Sequence, residues 1–374
     1  MSDLDGLPED PEAITPTWLS RVLRQEVSSA EQKPLGDGIG FMGDILRLDI
    51  EGEKALSLVA KLPKKENRVM GEMMGVYERE IMFFRSFANE VPIRIPKLYF
   101  SAFDRDKGSE NQDEIMRALD RAPRFLSQLI SVVGRWVAAA KKRRYLLLIE
   151  YMDAFKPGDQ LHGLSEQACI QVVEAIAPLH RKYWNNEAIQ GHFWLMDLDI
   201  DARLRQGMYK KNVRSYQEAL GPDFVGHLDW LVDHGETLNR QFFAQAPTTL
   251  LHNDLRLDNV LFSGTECAFI DFQLVRKGPA AQDIAYFITS AVAADAAPEV
   301  RDRILAAYHN ALAIEDYTQA SLKRDYQRAI MVILANMSGA ADVELGNERG
   351  HNMMQAWLER LKACAAEIEP ATLL

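Results

Sequence analysis

The feature that constrains this chain most is a polar loop held between short apolar runs. Leu250-Leu251 leads into His252-Asn253-Asp254-Leu255-Arg256-Leu257-Asp258-Asn259 and then Val260-Leu261-Phe262, and Phe269-Ile270-Asp271-Phe272-Gln273 follows. Asn259 comes five residues after Asp254, and Asp271 twelve after Asn259. Short apolar runs bounded by turn formers read as strands, so these polar groups fall at the ends of a small hairpin. Asx capping of a polar turn explains one aspartate; it does not explain the joint spacing. Phosphoryl transfer needs a carboxylate to take the proton of an attacking hydroxyl, and oxygen ligands to hold magnesium against a polyphosphate. Asp254 suits the first need, Asn259 and Asp271 the second.

The upstream chain is ordered to match. Thr15-Pro16-Thr17 opens an amphipathic segment with Trp18, Leu19, Val22 and Leu23 on one side, a short helix with proline in its first turn. Gly38-Ile39-Gly40-Phe41-Met42-Gly43 matches GxGxxG. In a dinucleotide-binding fold such glycines follow a strand and open a helix. Here the alternating DILRLDI follows, which fits a hairpin tip lying over nucleotide phosphates, as in kinases. EGEK turns the chain and SLVAKLP resumes it, with Lys61 on the third strand of this part and Glu80 on the helix over 77–87. Kinases pair such a lysine and glutamate to hold the α- and β-phosphates; a strand-edge lysine beside one of several solvated acids is the alternative. KLYF and RYLLLIEYM add strands, and beyond about Ala154 the pattern is helical apart from the hairpin. The expected fold is α+β and bilobal, kinase-like, with a small β-rich amino-terminal lobe and a large helical carboxy-terminal lobe. Its expected divisions are a helical segment over 1–30, a nucleotide-binding lobe over 31–152 with a helical insertion at about 107–144, and a catalytic and substrate lobe over 153–374.

These motifs, in this order, resemble the aminoglycoside phosphotransferase and choline kinase superfamily, and within it the ecdysteroid-kinase-like group, with its HxDxxxxN and IDFQ pattern. The resemblance runs from about Gly36 to the helix after Asp283 and implies an ATP- and magnesium-dependent kinase. By it, Gly38, Gly40 and Gly43 cover the phosphates, Lys61 and Glu80 anchor them, and the backbone of Glu150-Tyr151-Met152 holds adenine. His252 supports the catalytic loop, Asp254 is the base, and Asn259 and Asp271 bind the metal. Asp283 falls where such proteins often keep an aspartate bracing that loop; an acid favourable near a helix N-terminus behind Pro279 explains it equally well. Asn253 departs from the glycine commonly found between the histidine and the aspartate, and the glycine loop lacks the serine many relatives carry.

Only 12 residues separate Asp271 from Asp283, too few for a peptide platform, so the expected acceptor is a hydroxyl of a small organic molecule. Two rivals are an antibiotic phosphotransferase acting on a cationic amino sugar and a non-catalytic nucleotide-binding regulator. With 54 acidic residues against 43 basic ones, net −11, the chain repels nucleic acid and anionic membrane. Cys169, Cys267 and Cys364 lie far apart, which suits a reducing compartment, and the acidic N-terminus lacks the features of a secretory signal; a cytoplasmic protein is expected. The most apolar stretch, 329–335, is far short of the ~18 residues of a membrane span.

Some residues invite more than they deliver. His180 ends a helix that begins after Ser165 and reads as structural, and Met331, Met337, Met353 and Met354 read as core rather than as a pocket lining. In the insertion, Phe125, Leu129, Val132, Val133 and Trp136 form an apolar stripe ending in Lys141-Lys142-Arg143-Arg144. Either a helix packs there with cations favourable at its C-terminus, or the cluster docks an anionic acceptor such as a coenzyme A thioester.

Overall fold

The period-two segments pair as antiparallel strands in the computed structural model, which describes residues 6–35, 43–104, 112–122, 143–337 and 348–374. The chain forms two compact units: Met1–Asn111 with Pro123–Lys156 and Ile270–Leu274, and Gln112–Ala122 with Pro157–Phe269 and Val275–Leu374.

The first unit is built on a five-stranded sheet in the order β1-β2-β3-β5-β4, with β1 Val27–Pro34, β2 Gly43–Gly52, β3 Leu56–Pro63, β4 Leu98–Phe103 and β5 Tyr145–Glu150. Alternation puts Leu46, Leu48, Ile50, Leu58, Ala60 and Leu62 into one core with Leu146 and Leu148. Helix α1 (Pro16–Leu23) closes that core with Trp18 and Leu19, and Thr15 caps it by accepting the Trp18 N–H at 3.2 Å. Strand β1 is not evident from its sequence, VSSAEQKP, and its first residues fall in the segment expected to be helical. It is an edge strand that buries Val27 and leaves most of its side chains exposed, so the alternation that betrays half-buried strands is missing. Helix α2 (Arg68–Met74) ends at Gly75, whose φ of 67° turns the chain into α3 (Val76–Phe87). From α3, Ile81, Phe83, Phe84 and Phe87 are buried.

In the second unit, helix Glu166–Lys182 packs on Pro298–Leu312, Ala281–Ala291 on Gln319–Met337, and Ala202–Leu220 on Val225–Gln245. Met331, Met337 and Met353 are buried, as expected of core residues. Two strand pairs interrupt the helices: Thr248–Leu251 with Arg276–Pro279, and Val260–Ser263 with Glu266–Phe269. No described helix is long and apolar enough to cross a membrane.

The stretch read as an insertion divides. Helix Gln112–Arg121 belongs to the second unit. There Asp120 Oδ1 accepts the N–H groups of Arg203 and Leu204 at 2.9 and 3.0 Å, and its Oδ2 accepts Arg240 Nη2 at 2.8 Å. It thereby caps helix Ala202–Leu220, whose own N-cap, Asp201, makes no capping bond. Asp120→Ala is expected to destabilise the protein by about 1–3 kcal/mol, the range for stranding hydrogen-bonded buried groups and losing a cap. A urea titration with an unchanged midpoint would contradict this.

Phe125, Leu129, Val132, Val133, Trp136, Lys141 and Lys142 lie outside the described residues. Arg143 and Arg144 lie within, and neither is a free docking cation. Arg144 grips Asp104 through Nε and Nη2 at 2.9 and 3.0 Å, holding that carboxyl below the usual carboxylate range. Arg143 stands 3.6 Å from Glu72 and 3.8 Å from Glu78.

Candidate functional site

In the first unit, register sets Lys61 opposite Ile45 on one side and Leu147 on the other, at the centre of the sheet. Its Nζ lies 2.7 Å from Glu80 Oε1 on α3 and 2.8 Å from Asp271 Oδ1. The segment Ile270–Leu274 that brings Asp271 is fastened to α3. Phe272 stacks on Phe83 at 3.9 Å, its N–H donates to Glu80, and Arg79 Nη1 donates to the Gln273 carbonyl at 3.2 Å. Asp271 itself sits at φ 68°, a left-handed conformation that a non-glycine residue adopts at a cost. Burial pulls the Lys61 ammonium down, but the charges of Asp271 and Glu80 outweigh it and hold the amine firmly protonated. Burial likewise pushes the Glu80 carboxyl up against the opposing pull of Lys61.

The other residues expected at a nucleotide fare differently. Gly38 and Gly40 lie outside the described residues. Gly43 opens β2, where an added Cβ would stand 2.9 Å from the Leu62 carbonyl, so strand pairing alone demands glycine there. The Glu150 carboxylate is taken by Arg94 Nη2 at 2.7 Å and by the Lys97 N–H at 3.0 Å. Next to it, the Tyr151 N–H donates to Ser57 O and the Phe155 N–H to Met152 O. Met152 is buried, and its own N–H finds no acceptor among the described residues.

In the second unit, strand Thr248–Leu251 delivers His252, Asn253 and Asp254. Asn253 takes φ 62°. Asparagine tolerates that region better than other side-chain-bearing residues, which explains why it stands where glycine is usual. The N–H groups of His252 and Asn253 donate to the two carboxylate oxygens of Asp283, each at 2.7 Å. Asp283 is fully buried and also meets His180 Nε2 at 3.2 Å, while His180 Nδ1 meets the Tyr308 hydroxyl at 2.8 Å. A carboxylate needs a donor, so the network assigns the proton to Nε2 and makes Nδ1 the acceptor of Tyr308. Asp283 thus braces the loop from the first turn of its helix; both explanations of it hold at once. His180 is structural, as expected, and its task is to steady that brace.

Asn259 Nδ2 donates to Asp254 O at 2.8 Å and to Asp254 Oδ2 at 3.0 Å, which turns the amide oxygen of Asn259 away from Asp254. Arg256 Nε approaches Asp254 Oδ2 at 3.7 Å. The phenol of Tyr286, which the sequence did not single out, is pushed up by burial and then by the charge of Asp254. Its one signal is position, a helical turn after Asp283.

Asn259 immediately precedes Val260, which pairs with Phe269, and Asp271 follows Phe269 by two residues. The amide oxygen of Asn259 in the second unit and the carboxylate of Asp271 in the first are each, taken singly, hard oxygen donors of the kind magnesium prefers. Among the described residues no group of three or more histidines, cysteines, aspartates or glutamates is placed to hold a metal by itself.

The model of the phosphotransferase enzyme family matches residues 100–322, more than half of the chain. No curated protein matches it. Among solved structures, choline kinase from Cryptosporidium parvum Iowa II has a TM-score of 0.53 at 13% identity, covering 89% of each chain. A microcompartment-associated aminopropanol kinase has a TM-score of 0.49 at 14% identity, covering 93% of this chain and 95% of that one. A spectinomycin phosphotransferase in complex with ADP and spectinomycin also has a TM-score of 0.49, at 12% identity over 93% and 97% of the two chains. The choline kinase similarity agrees with the α+β fold expected from the sequence, a β-rich amino-terminal part followed by a helical one.

Proposed function

The chain belongs to the phosphotransferase enzyme family, and from that premise we propose that it carries the γ-phosphoryl group of ATP, with magnesium, to a hydroxyl of a small organic molecule. The observation that carries this reading is the partly buried ammonium of Lys61 held between Glu80 and Asp271. It is a fixed positive charge of the kind that grips polyphosphate oxygens. The unpartnered Met152 N–H supports an adenine contact at the linker.

Asp254 is the base in this reading. Its carboxylate is held by Asn259 Nδ2 and accepts the acceptor's hydroxyl proton while the oxygen attacks the γ-phosphorus and ADP leaves. Asn259 and Asp271 are the residues that would hold magnesium, which would supply neutralisation of the phosphate charge. Asp283 keeps the backbone on either side of His252 in place through two N–H bonds. The His-x-Asp and IDFQ spacing supports the ecdysteroid-kinase-like group as the subfamily. Net charge of −11 favours a cationic amino sugar as the second acceptor class. Three buried free cysteines support a reducing compartment, the cytoplasm.

Incubation of the purified protein with γ-labelled ATP, magnesium and a panel of sterols, hydroxyacyl thioesters, amino alcohols and amino sugars tests the reading. Label is expected on one acceptor class. Neither transfer nor hydrolysis would favour a non-catalytic nucleotide-binding regulator. Lys61→Met and Glu80→Gln are each expected to impair transfer, and the double variant to be little worse than Lys61→Met, since the two act as one pair. Losses that multiply in the double variant would mean that the pair does not act as a unit.

A further inference from the structure

Register sets Lys61 opposite Ile45, Arg47 opposite Val59 and Asp49 opposite Ser57. Cross-strand partners share a face, so Arg47 lies on the sheet face of Lys61, turned away from the core of Leu46 and Leu48. Its long side chain is held there: Arg47 Nε donates to Asp49 Oδ1 at 2.7 Å, and Ser57 Oγ donates to the same oxygen at 2.8 Å. From this anchor the guanidinium reaches the linker twice. Its central carbon lies 4.1 Å from the centroid of the Tyr151 ring, within cation–π range, and Nη2 stands 3.3 Å from Asp153 Oδ1. Met152 lies between the two contacts. The Asp153 N–H donates to Tyr151 O at 3.2 Å, which closes a three-residue turn centred on Met152, and the Tyr151 N–H donates to Ser57 O at 3.0 Å. One side chain of β2 therefore grips both arms of this turn.

We propose that Arg47 is a positioning residue for nucleotide binding: stacked on Tyr151 and paired with Asp153, it holds the Met152 backbone in the shape that receives the base, and so raises affinity through the base rather than through the phosphates. The inference rests on the reading of the linker as the adenine contact. The Asp153 side chain is 62% exposed, so its ion pair contributes little and the ring contact carries most of the grip. A turn set before the nucleotide arrives spares the cost of ordering it on binding. An arginine that served the sheet alone would change stability without changing affinity, and one that drew in phosphates by charge would act on any polyphosphate.

Arg47→Met keeps an unbranched side chain and removes the charge. In calorimetric titrations its Kd for Mg-ADP is expected to rise about fivefold, the scale of one cation–π contact. Its Kd for Mg-pyrophosphate, which has no base, stays as in the wild type. Tyr151→Leu is expected to cost about as much, and Arg47→Met to add less than about twofold in that background, because the two residues make one contact. Arg47→Lys keeps a cation and recovers part of the affinity. An unchanged Kd for Mg-ADP in Arg47→Met, an equal rise for Mg-pyrophosphate, or losses that multiply in the double variant would overturn the proposal. Wild-type protein separates the two levels of the argument. If it binds Mg-ADP no more tightly than Mg-pyrophosphate, the base is not held and the linker reading falls together with this inference. A preference for Mg-ADP that survives intact in Arg47→Met sinks this inference alone.

Discussion

Asp254→Asn is expected to lower kcat by roughly 10²–10⁴, the contribution of a positioned acid–base group, while leaving nucleotide affinity and melting temperature close to wild type. The substitution is nearly isosteric. Asn259 Nδ2, 3.0 Å from Asp254 Oδ2, still finds an oxygen on the new amide, and the two backbone bonds to Asp283 do not involve the side chain that changes. Only the capacity to accept a proton is removed. Steady-state kinetics beside a thermal melt reads both quantities, and turnover within a factor of three of wild type would take Asp254 out of the role.

Asp283→Ala is expected to damage stability and turnover together. Its carboxylate is fully buried and receives His252 N–H, Asn253 N–H and His180 Nε2. Each donor stranded in a buried place costs about 1–3 kcal/mol. Relief of the desolvation of one buried carboxylate offsets part of that sum, so a net loss of a few kcal/mol follows. In a domain of ~150–250 residues each kcal/mol moves the melting temperature by roughly 2–4 °C, which makes the drop easy to see by calorimetry. The fall in turnover should exceed what unfolded protein accounts for, because the loop that presents Asp254 is no longer tied. Asp283→Asn keeps one carbonyl acceptor and is expected to fall between the two. An Asp283→Ala protein that melts and turns over like wild type would show that the loop needs no such brace.

The fold was legible where local pattern and burial coincide. In β2 and β3, alternation reports a sheet with one face in the core, and Leu46, Leu48, Leu58 and Leu62 are buried as that pattern demands. Thr15 before Pro16 reports a capped helix, and the cap bond is there. Pattern failed where burial is one-sided or absent. VSSAEQKP is a strand because β2 offers it a free edge, and Arg276–Pro279 is a strand because Thr248–Leu251 does the same; neither sequence would pair in isolation. The spacing of His252, Asp254, Asn259 and Asp271 marked a candidate site in advance, since a tight hairpin leaves few ways to place polar groups five and twelve residues apart.

Sequence alone established the succession of a small β-rich part by a helical one, and it marked the residue types that are candidates for moving a phosphoryl group. All of these rest on periodicity and spacing, which act over a few residues. Tertiary structure alone decided which distant groups meet. Lys61 reaches Asp271 across 210 residues, and His180 steadies Asp283 across 103. The same structure spent Arg143 and Arg144 on Glu72, Glu78 and Asp104 rather than on a ligand. It also packed an unremarked tyrosine, Tyr286, edge-on against Trp357. A charge buried by packing must find its counter-charge or donor among whatever the fold brings near, and that choice is made by the core as a whole rather than by any stretch of chain that a periodicity can describe.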